Sequence, residues 1–247
     1  MAYSTDYFIN DLKGAWAIAK KDLTIYYVKP NIYMSGLLFP LFMLLAFAVG
    51  RSSPIGLLIP GLIAITALFS ASSIEPVSIP IERRTKTFDR LLSAPVSLLS
   101  IVLGESISGL LFSLSICLLI LLGGFIFIHT TLLFIPLIVG SIALACFMFA
   151  AMGTVFSAYP TENVGEVMSL LNLVRLPLIF ISGVFIPLET LPSIGQAIAS
   201  FSPLTYANDL IRFGFEGTTH FGVALDVAVI LVFTGIFLLL GDFFYRR

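Results

Sequence analysis

Residues 82–95 read ERRTKTFDRLLSAP, and six of the nine positions from Glu82 to Arg90 are charged in a sequence that is otherwise oily. Charged side chains are costly in hydrocarbon, so this segment belongs at a membrane surface rather than inside the bilayer. Phe88, Leu91 and Leu92 recur at helical spacing and give a helix here one apolar side. Glu82 and Lys86 stand four apart in the favourable order, but Lys86 and Arg90 repeat that spacing with like charge. Such repulsion points to a basic face directed at something outside this chain.

Working outward, the composition sets the surroundings of that segment. Hydrophobic residues make up 58% of the 247 positions and charged residues 11%, where a soluble domain has about half and about a quarter. The mean hydropathy is +1.06. The chain reads as an all-α integral membrane protein with room for roughly six to seven spans and no large extramembrane domain. Residues 1–247 are taken as a single transmembrane domain. A net charge of -1 gives no basic footprint for nucleic acid. Cys117 and Cys146 both fall inside apolar runs and read as packing residues. The start, MAYSTDYFINDLKG, lacks a basic region followed by an apolar run, so no cleavable signal peptide is expected.

Along the chain, Phe8, Leu12, Trp16, Ala19, Leu23 and Tyr26 recur every three or four residues, which predicts an interfacial amphipathic helix over 8–28. Residues 31–50 carry no charge and form a first span, and 55–80 a second, closed by Pro80. Thr66, Ser70 and Ser73 line that second span with small residues that admit a neighbouring helix. From Ser106 to Thr161 there is no Asp, Glu, Lys or Arg, a run about twice a single crossing. It is read as a hairpin of spans over 97–128 and 132–157, turning at His129-Thr130-Thr131. A fifth span covers 164–186 with a kink at Pro177, and a sixth covers 221–243. Between them, in a re-entrant segment over 187–216, two short helices are expected. One starts at Pro192; the other has Ser202 as N-cap and Pro203 at its first position.

Six spans place both termini on one side. Lys13, Lys20, Lys21 and Lys29, then Arg83, Arg84, Lys86 and Arg90, then Arg246 and Arg247 share that side, against Arg51 and Arg212 opposite. The excess of positive charge assigns the first side to the cytoplasm.

Two stretches resemble a known family. ERRTKTFDRLLSAPVS is similar to the cytoplasmic coupling-helix motif of type-2 ABC transporter permeases, matching at Glu82, Arg83, Thr87, Leu91, Leu92 and Pro95. Lys86 stands where the family usually has Gly, and Asp89 where it has Glu. FISGVFIPLETLPSIGQAIASFSPLTYANDLIR, residues 180–212, is similar to the signature between the last two spans, at Gly183, Pro187, Leu191, Pro192, Pro203, Leu204, Thr205 and Tyr206. The resemblance implies the plasma-membrane subunit of an exporter. Two permease chains, as a homodimer or a heterodimer, would work with two copies of a separate cytoplasmic ATPase that binds ATP and Mg. No Walker A sequence occurs in this chain. Glu82, Arg83, Arg84, Thr87, Phe88, Asp89, Arg90, Leu91, Leu92 and Pro95 would then couple to the ATPase. Gly183, Pro187, Pro203 and Tyr206 would belong to an outer gate.

Other candidates follow from charge inside the membrane, which is functional by default. Arg175 lies about ten residues, or about 15 Å, into the fifth span, and Asn172 shares its helix face. Glu75 and Glu105 lie close to the cytoplasmic ends of their spans, shallow enough to reach water. Asn172, Arg175 and Glu75 are candidate lining for a translocation path; the alternative is an internal pairing of Arg175 with a carboxylate. Asp226 and Asp242 are expected to face the two interfaces. His129 and His220 show no zinc-site spacing, and no catalytic or metal residues are assigned. The competing function is a secondary transporter driven by an ion gradient through Glu75, Glu105 and Arg175. A structural scaffold is a third.

Overall fold

The computed structural model describes residues 2–27, 38, 42, 58–94, 96–128, 132–184, 188 and 191–246. Apart from Leu38 and Phe42, the expected first span lies outside the described residues. So do the expected turn at 129–131 and the candidate residues Pro95 and Pro187.

The described part contains ten α-helices in sequence. Helix α1 is Ala2–Asp22, continued by a π-helical turn at Leu23–Tyr27. Helix α2 is Ile59–Ala71, α3 is Ile74–Arg84 and α4 is Thr87–Leu92. The long helices α5, Leu98–Ile128, and α6, Ile135–Ser157, form the expected hairpin, followed by α7 at Val164–Ile181. Helices α8, Ser193–Ala199, and α9, Pro203–Glu216, are the two short ones. Helix α10 runs from Val223 to Tyr245. Among the described residues, five stretches are long and apolar enough to cross a membrane: Ile59–Arg84 taken as one, α5, α6, α7 and α10.

Helices α2, α5 and α6 form the centre. Ile59, Ile63, Leu68, Ile116, Ile142 and Phe149 are all buried in one cluster. Thr66 and Ser70 are buried as the small-residue pattern predicts, and Ser70 Oγ bonds Ser113 Oγ of α5. Cys117 and Cys146 are buried free thiols in the same core.

Two expectations change. The apolar stripe of α1 divides: Ala15, Ile18 and Ala19 are buried against α5, whereas Leu12 and Trp16 are exposed. Gly104 explains the choice of face, because a β-carbon there would fall 2.7 Å from the Ala15 carbonyl oxygen. The side with Ala15, Ile18 and Ala19 therefore packs on protein, and the side with Leu12 and Trp16 is left exposed. Second, Pro80 does not close a span. It lies inside α3, which runs on to Arg84, and the break comes earlier, at Ser72-Ser73. Pro76 supplies a local reason, since it has no N–H to offer the Ser72 carbonyl four residues back.

Candidate functional site

The charged segment is an elbow rather than one continuous helix over 82–95. Glu82, Arg83 and Arg84 finish α3, Lys86 takes the left-handed conformation at φ 56°, and α4 begins at Thr87. The chain turns there because Thr85 and Lys86 close two backbone bonds, to Ile81 O at 3.0 Å and Arg83 O at 3.0 Å.

The elbow's side chains fall into two sets. Glu82, 2% exposed, accepts from Lys21 Nζ of α1 at 2.6 Å, and the same ammonium lies 3.0 Å from Asp22. Burial disfavours the Lys21 charge, but Glu105, Asp22 and Glu82 outweigh it and hold the pKa above the usual lysine value. Burial also lifts the Asp22 carboxyl to about 6, against the pull of Lys21. Arg83 donates to the carbonyls of Tyr159 and Ala158 in the α6–α7 connection. Its guanidinium also stacks 5.4 Å from the Phe88 ring centre. Phe88 is buried and meets Tyr245 at 5.8 Å, and the Tyr245 hydroxyl bonds Ser157 Oγ at 2.7 Å. Thr87 Oγ1 donates to Glu82 O at 3.3 Å, bracing the turn. Arg84, Lys86, Asp89, Arg90 and Leu92 are exposed, with Leu91 partly so. Phe88 is thus an internal anchor, and the outward face consists of the second set.

Behind the elbow, Glu75 and Glu105 are fully buried rather than in reach of water. Glu75 packs between α5 and α6, where Gly109 and Gly153 make room for its oxygens; a β-carbon on Gly109 would fall 2.7 Å from Oε1. Neither Glu75 oxygen has a hydrogen-bond partner among the described residues. Glu105 Oε2 lies 3.5 Å from the Ser78 hydroxyl. Arg175, also fully buried, pairs with no carboxylate within ion-pair distance among the described residues; it reaches the α2–α3 break. Its guanidinium donates to Ser72 Oγ at 2.7 and 2.9 Å and to Ser73 Oγ at 3.0 Å. At the break the Ser73 N–H turns to Ser70 O, and the freed Phe69 carbonyl accepts from Arg175 at 3.4 Å. Asn172 Oδ1 lies 3.5 Å from the same guanidinium and is partly exposed. Asn172 and Arg175 come together as their spacing predicts, while Glu75 lies on the opposite side of α3, against α5 and α6.

At the other end of the bundle, Ser202 and Pro203 start α9 as expected, although the Ser202 side chain makes no cap bond. Gly183 has φ 73°, a conformation that suits glycine. Tyr206 donates its hydroxyl to Ser200 O at 2.8 Å. Asp226 is fully buried in the first turn of α10 instead of facing an interface, whereas Asp242 bonds Arg246 at 2.8 Å.

The model of the ABC-2 type transporter family matches residues 14–215. The chain belongs to the ABC-2 type transporter family. Nodulation protein J of Rhizobium leguminosarum bv. viciae is 31% identical over 106 residues, 43% of this chain. That match spans 40% of the length of the relative. The ABC-2 family is one of membrane-spanning transport subunits of ABC transporters, and the long apolar helices fit that membership. Permeases of this family normally work with an ATPase subunit.

Lys21, Asp22, Ser72 and Tyr245 carry no role in the sequence reading, and Ser73 only that of a small packing residue. For Lys21 and Asp22 the available signal is a pair of opposite charges closing the interfacial helix; for the serines there is no break signal, since Ser-Ser inside an apolar run does not mark one.

Proposed function

We propose that the chain is the membrane subunit of an ATP-driven exporter. It would move a hydrophobic or amphiphilic molecule, a drug-like compound, lipid or glycan, out of the cytoplasm by alternating access. Two copies of a cytoplasmic ATPase, carrying ATP and Mg, would dock on the elbows of two permease chains. Positive charge assigns the elbow and both termini to the cytoplasmic side of the plasma membrane. The observation that carries this reading is the division of the elbow. Its inward groups tie α3 and α4 to α1, to the α6–α7 connection and to α10. Its outward groups, Arg84, Lys86, Asp89, Arg90 and Leu92, are left for another protein. Three basic residues on that face call for an acidic groove on the ATPase. A push on the elbow is then delivered to three other elements at once. Asn172, with Arg175 behind it, remains the candidate for substrate contact on α7; Glu75 would act through helix packing.

The test is recovery of the tagged chain from native membranes and a search of the co-purified proteins for one with Walker A and Walker B motifs. Arg84→Glu combined with Arg90→Glu should lose that protein while the chain still inserts. Retention of the ATPase by the reversed variant would remove the docking assignment. A second reading, transport driven by an ion gradient, draws on the buried, unpartnered oxygens of Glu75. Uptake or efflux by ATPase-free proteoliposomes under a proton gradient would favour it.

A further inference from the structure

At the end of the bundle away from the elbow, a cavity of about 180 Å³ opens between Gly183, Leu188, α9 and the segment after it. Its polar groups are incompletely matched. Asn208 is 4% exposed, lines the cavity, and its Oδ1 accepts no hydrogen bond among the described residues. Arg212 Nε is buried without a hydrogen bond among the described residues and lies 3.5 Å from Glu216 Oε1, a loose ion pair. Thr218 and Thr219 add hydroxyls to the wall. Asp209 is engaged elsewhere, accepting from the backbone N–H groups of His220 and Phe221 at 2.9 to 3.1 Å. That bond fixes the loop forming one wall.

We propose that this cavity is a binding site for a neutral, hydroxyl-rich ligand, a sugar-like ring. The chemistry of the wall selects the class. An apolar ligand would leave Asn208 and Arg212 unsatisfied, and each buried polar group without a partner weighs against it. A cation meets Arg212, and an anion meets Asp209 and Glu216. A hydroxyl donates to Asn208 Oδ1 and accepts from Arg212 Nε, and a ligand with several hydroxyls meets a wall that holds both donors and acceptors. The volume is below the roughly 300 Å³ at which drug-sized pockets begin, so one ring enters and a whole drug does not. The assignment of the cavity to the outer face rests on the exporter reading. There the ring is either the head of a transported amphiphile or a free sugar from outside.

The test uses the full chain with its ATPase in nanodiscs prepared without sugar detergents. Saturation-transfer NMR with methyl β-D-glucopyranoside should give a signal above that of empty nanodiscs. Asn208→Leu should weaken binding at least tenfold, and the exposed elbow variant Thr85→Ala should leave it unchanged. If Asn208→Leu does not fold, Arg212→Lys keeps the charge, removes Nε and should weaken binding likewise. A glycolipid added to the nanodisc that displaces the probe identifies the amphiphile head as the source. Failure to displace it identifies the free sugar, and either result keeps the site. No signal in the wild type, or equal signals in wild type and folded variants, means a cavity filled by water only and overturns the proposal. ATPase co-purification from the same preparations is read separately: its loss with sugar binding intact counts against the exporter reading alone.

Discussion

The elbow at residues 74–92 and the short helices at residues 193–216 are both interrupted, both polar, and lie at opposite ends of one bundle, yet they are held in different ways. Elbow side chains reach far along the chain: Glu82 to Lys21, Arg83 to Ala158 and Tyr159, Phe88 to Tyr245. The bonds that side chains of α9 themselves make are short in sequence: Thr205 to Ala199, Tyr206 to Ser200, Asp209 to His220, while distant residues reach only its backbone, Ser141 at Leu210 O and Leu133 and Phe134 at Gly214 O. A segment whose own side chains bond locally uses them to hold its own shape. One tied to three other elements passes displacement on to them. The difference is what a coupling element and a binding element would each require.

The largest effect should come from Phe88→Ala. Removing a buried phenylalanine costs about 3 kcal/mol, and here it frees α4 from both Arg83 and Tyr245. Thermal unfolding in detergent should fall, and the partner's ATP hydrolysis should lose its dependence on transport substrate. The outer counterpart, Leu204→Ala, is fully buried too and should cost about 3 kcal/mol without uncoupling. If both variants uncouple equally, the contrast between the two ends is wrong.

Glu82→Ala should rank next, at about 2 kcal/mol. Removing one partner of a fully buried pair costs about 3–5 kcal/mol. Lys21, however, is 30% exposed and keeps Asp22 at 3.0 Å, which lowers the figure. Release of α1 should appear as faster amide exchange over residues 11–22 in Glu82→Ala than in the wild type.

A matched pair of tyrosines sharpens the comparison. Tyr245→Phe loses the bond to Ser157 and Tyr206→Phe the bond to Ser200 O. Each should cost about 1 kcal/mol. Only Tyr245→Phe, which lies beneath Phe88, should lower the amount transported per ATP hydrolysed.

The spans were legible because length and absence of charge decide them: α5, α6 and α10 begin and end within three residues of the expected positions. The Ser202-Pro203 start of α9 was legible because proline at a first helical position has a local cause. What sequence could not supply was direction. Arg83 and Arg84 are chemically equivalent neighbours, and only the position of the α6–α7 carbonyls turns one inward. Phe88 shares an apolar stripe with Leu92, but Tyr245, remote in sequence, decides which of them is covered. Glu75 reads as shallow because it stands close to Pro80, the expected end of its span; the continuation of α3 to Arg84 and the glycines of α5 and α6 enclose it instead.

A smaller effect concerns pH. The native state holds the Asp22 proton up to about 6, against the ordinary value of 3.8. Over that interval the folded chain binds more protons than the unfolded one, so this group's contribution to stability is lost as pH rises from about 4 to about 6. Asp22→Asn should flatten that part of the melting-temperature profile; an unchanged slope would assign it to another group.

The smallest expected change is a gain, from Lys86→Gly. Lys86 holds φ 56° at the turn between α3 and α4, a left-handed conformation that costs a residue with a β-carbon about 1–2 kcal/mol. Glycine removes that cost but adds about 0.4–1 kcal/mol of chain entropy in the unfolded state. The net is a stabilisation of about 0.5 kcal/mol. Lys86 is exposed, so the substitution also deletes one positive charge from the outward face without touching the bonds of Glu82, Arg83 or Phe88. Melting temperature and ATPase affinity should therefore move in opposite directions, the first up slightly and the second down, with the loss of affinity shrinking as salt is raised. A variant that melts lower would mean that Lys86 makes an inward contact. A variant with unchanged affinity at low salt would remove Lys86 from the docking face and leave it to Arg84 and Arg90.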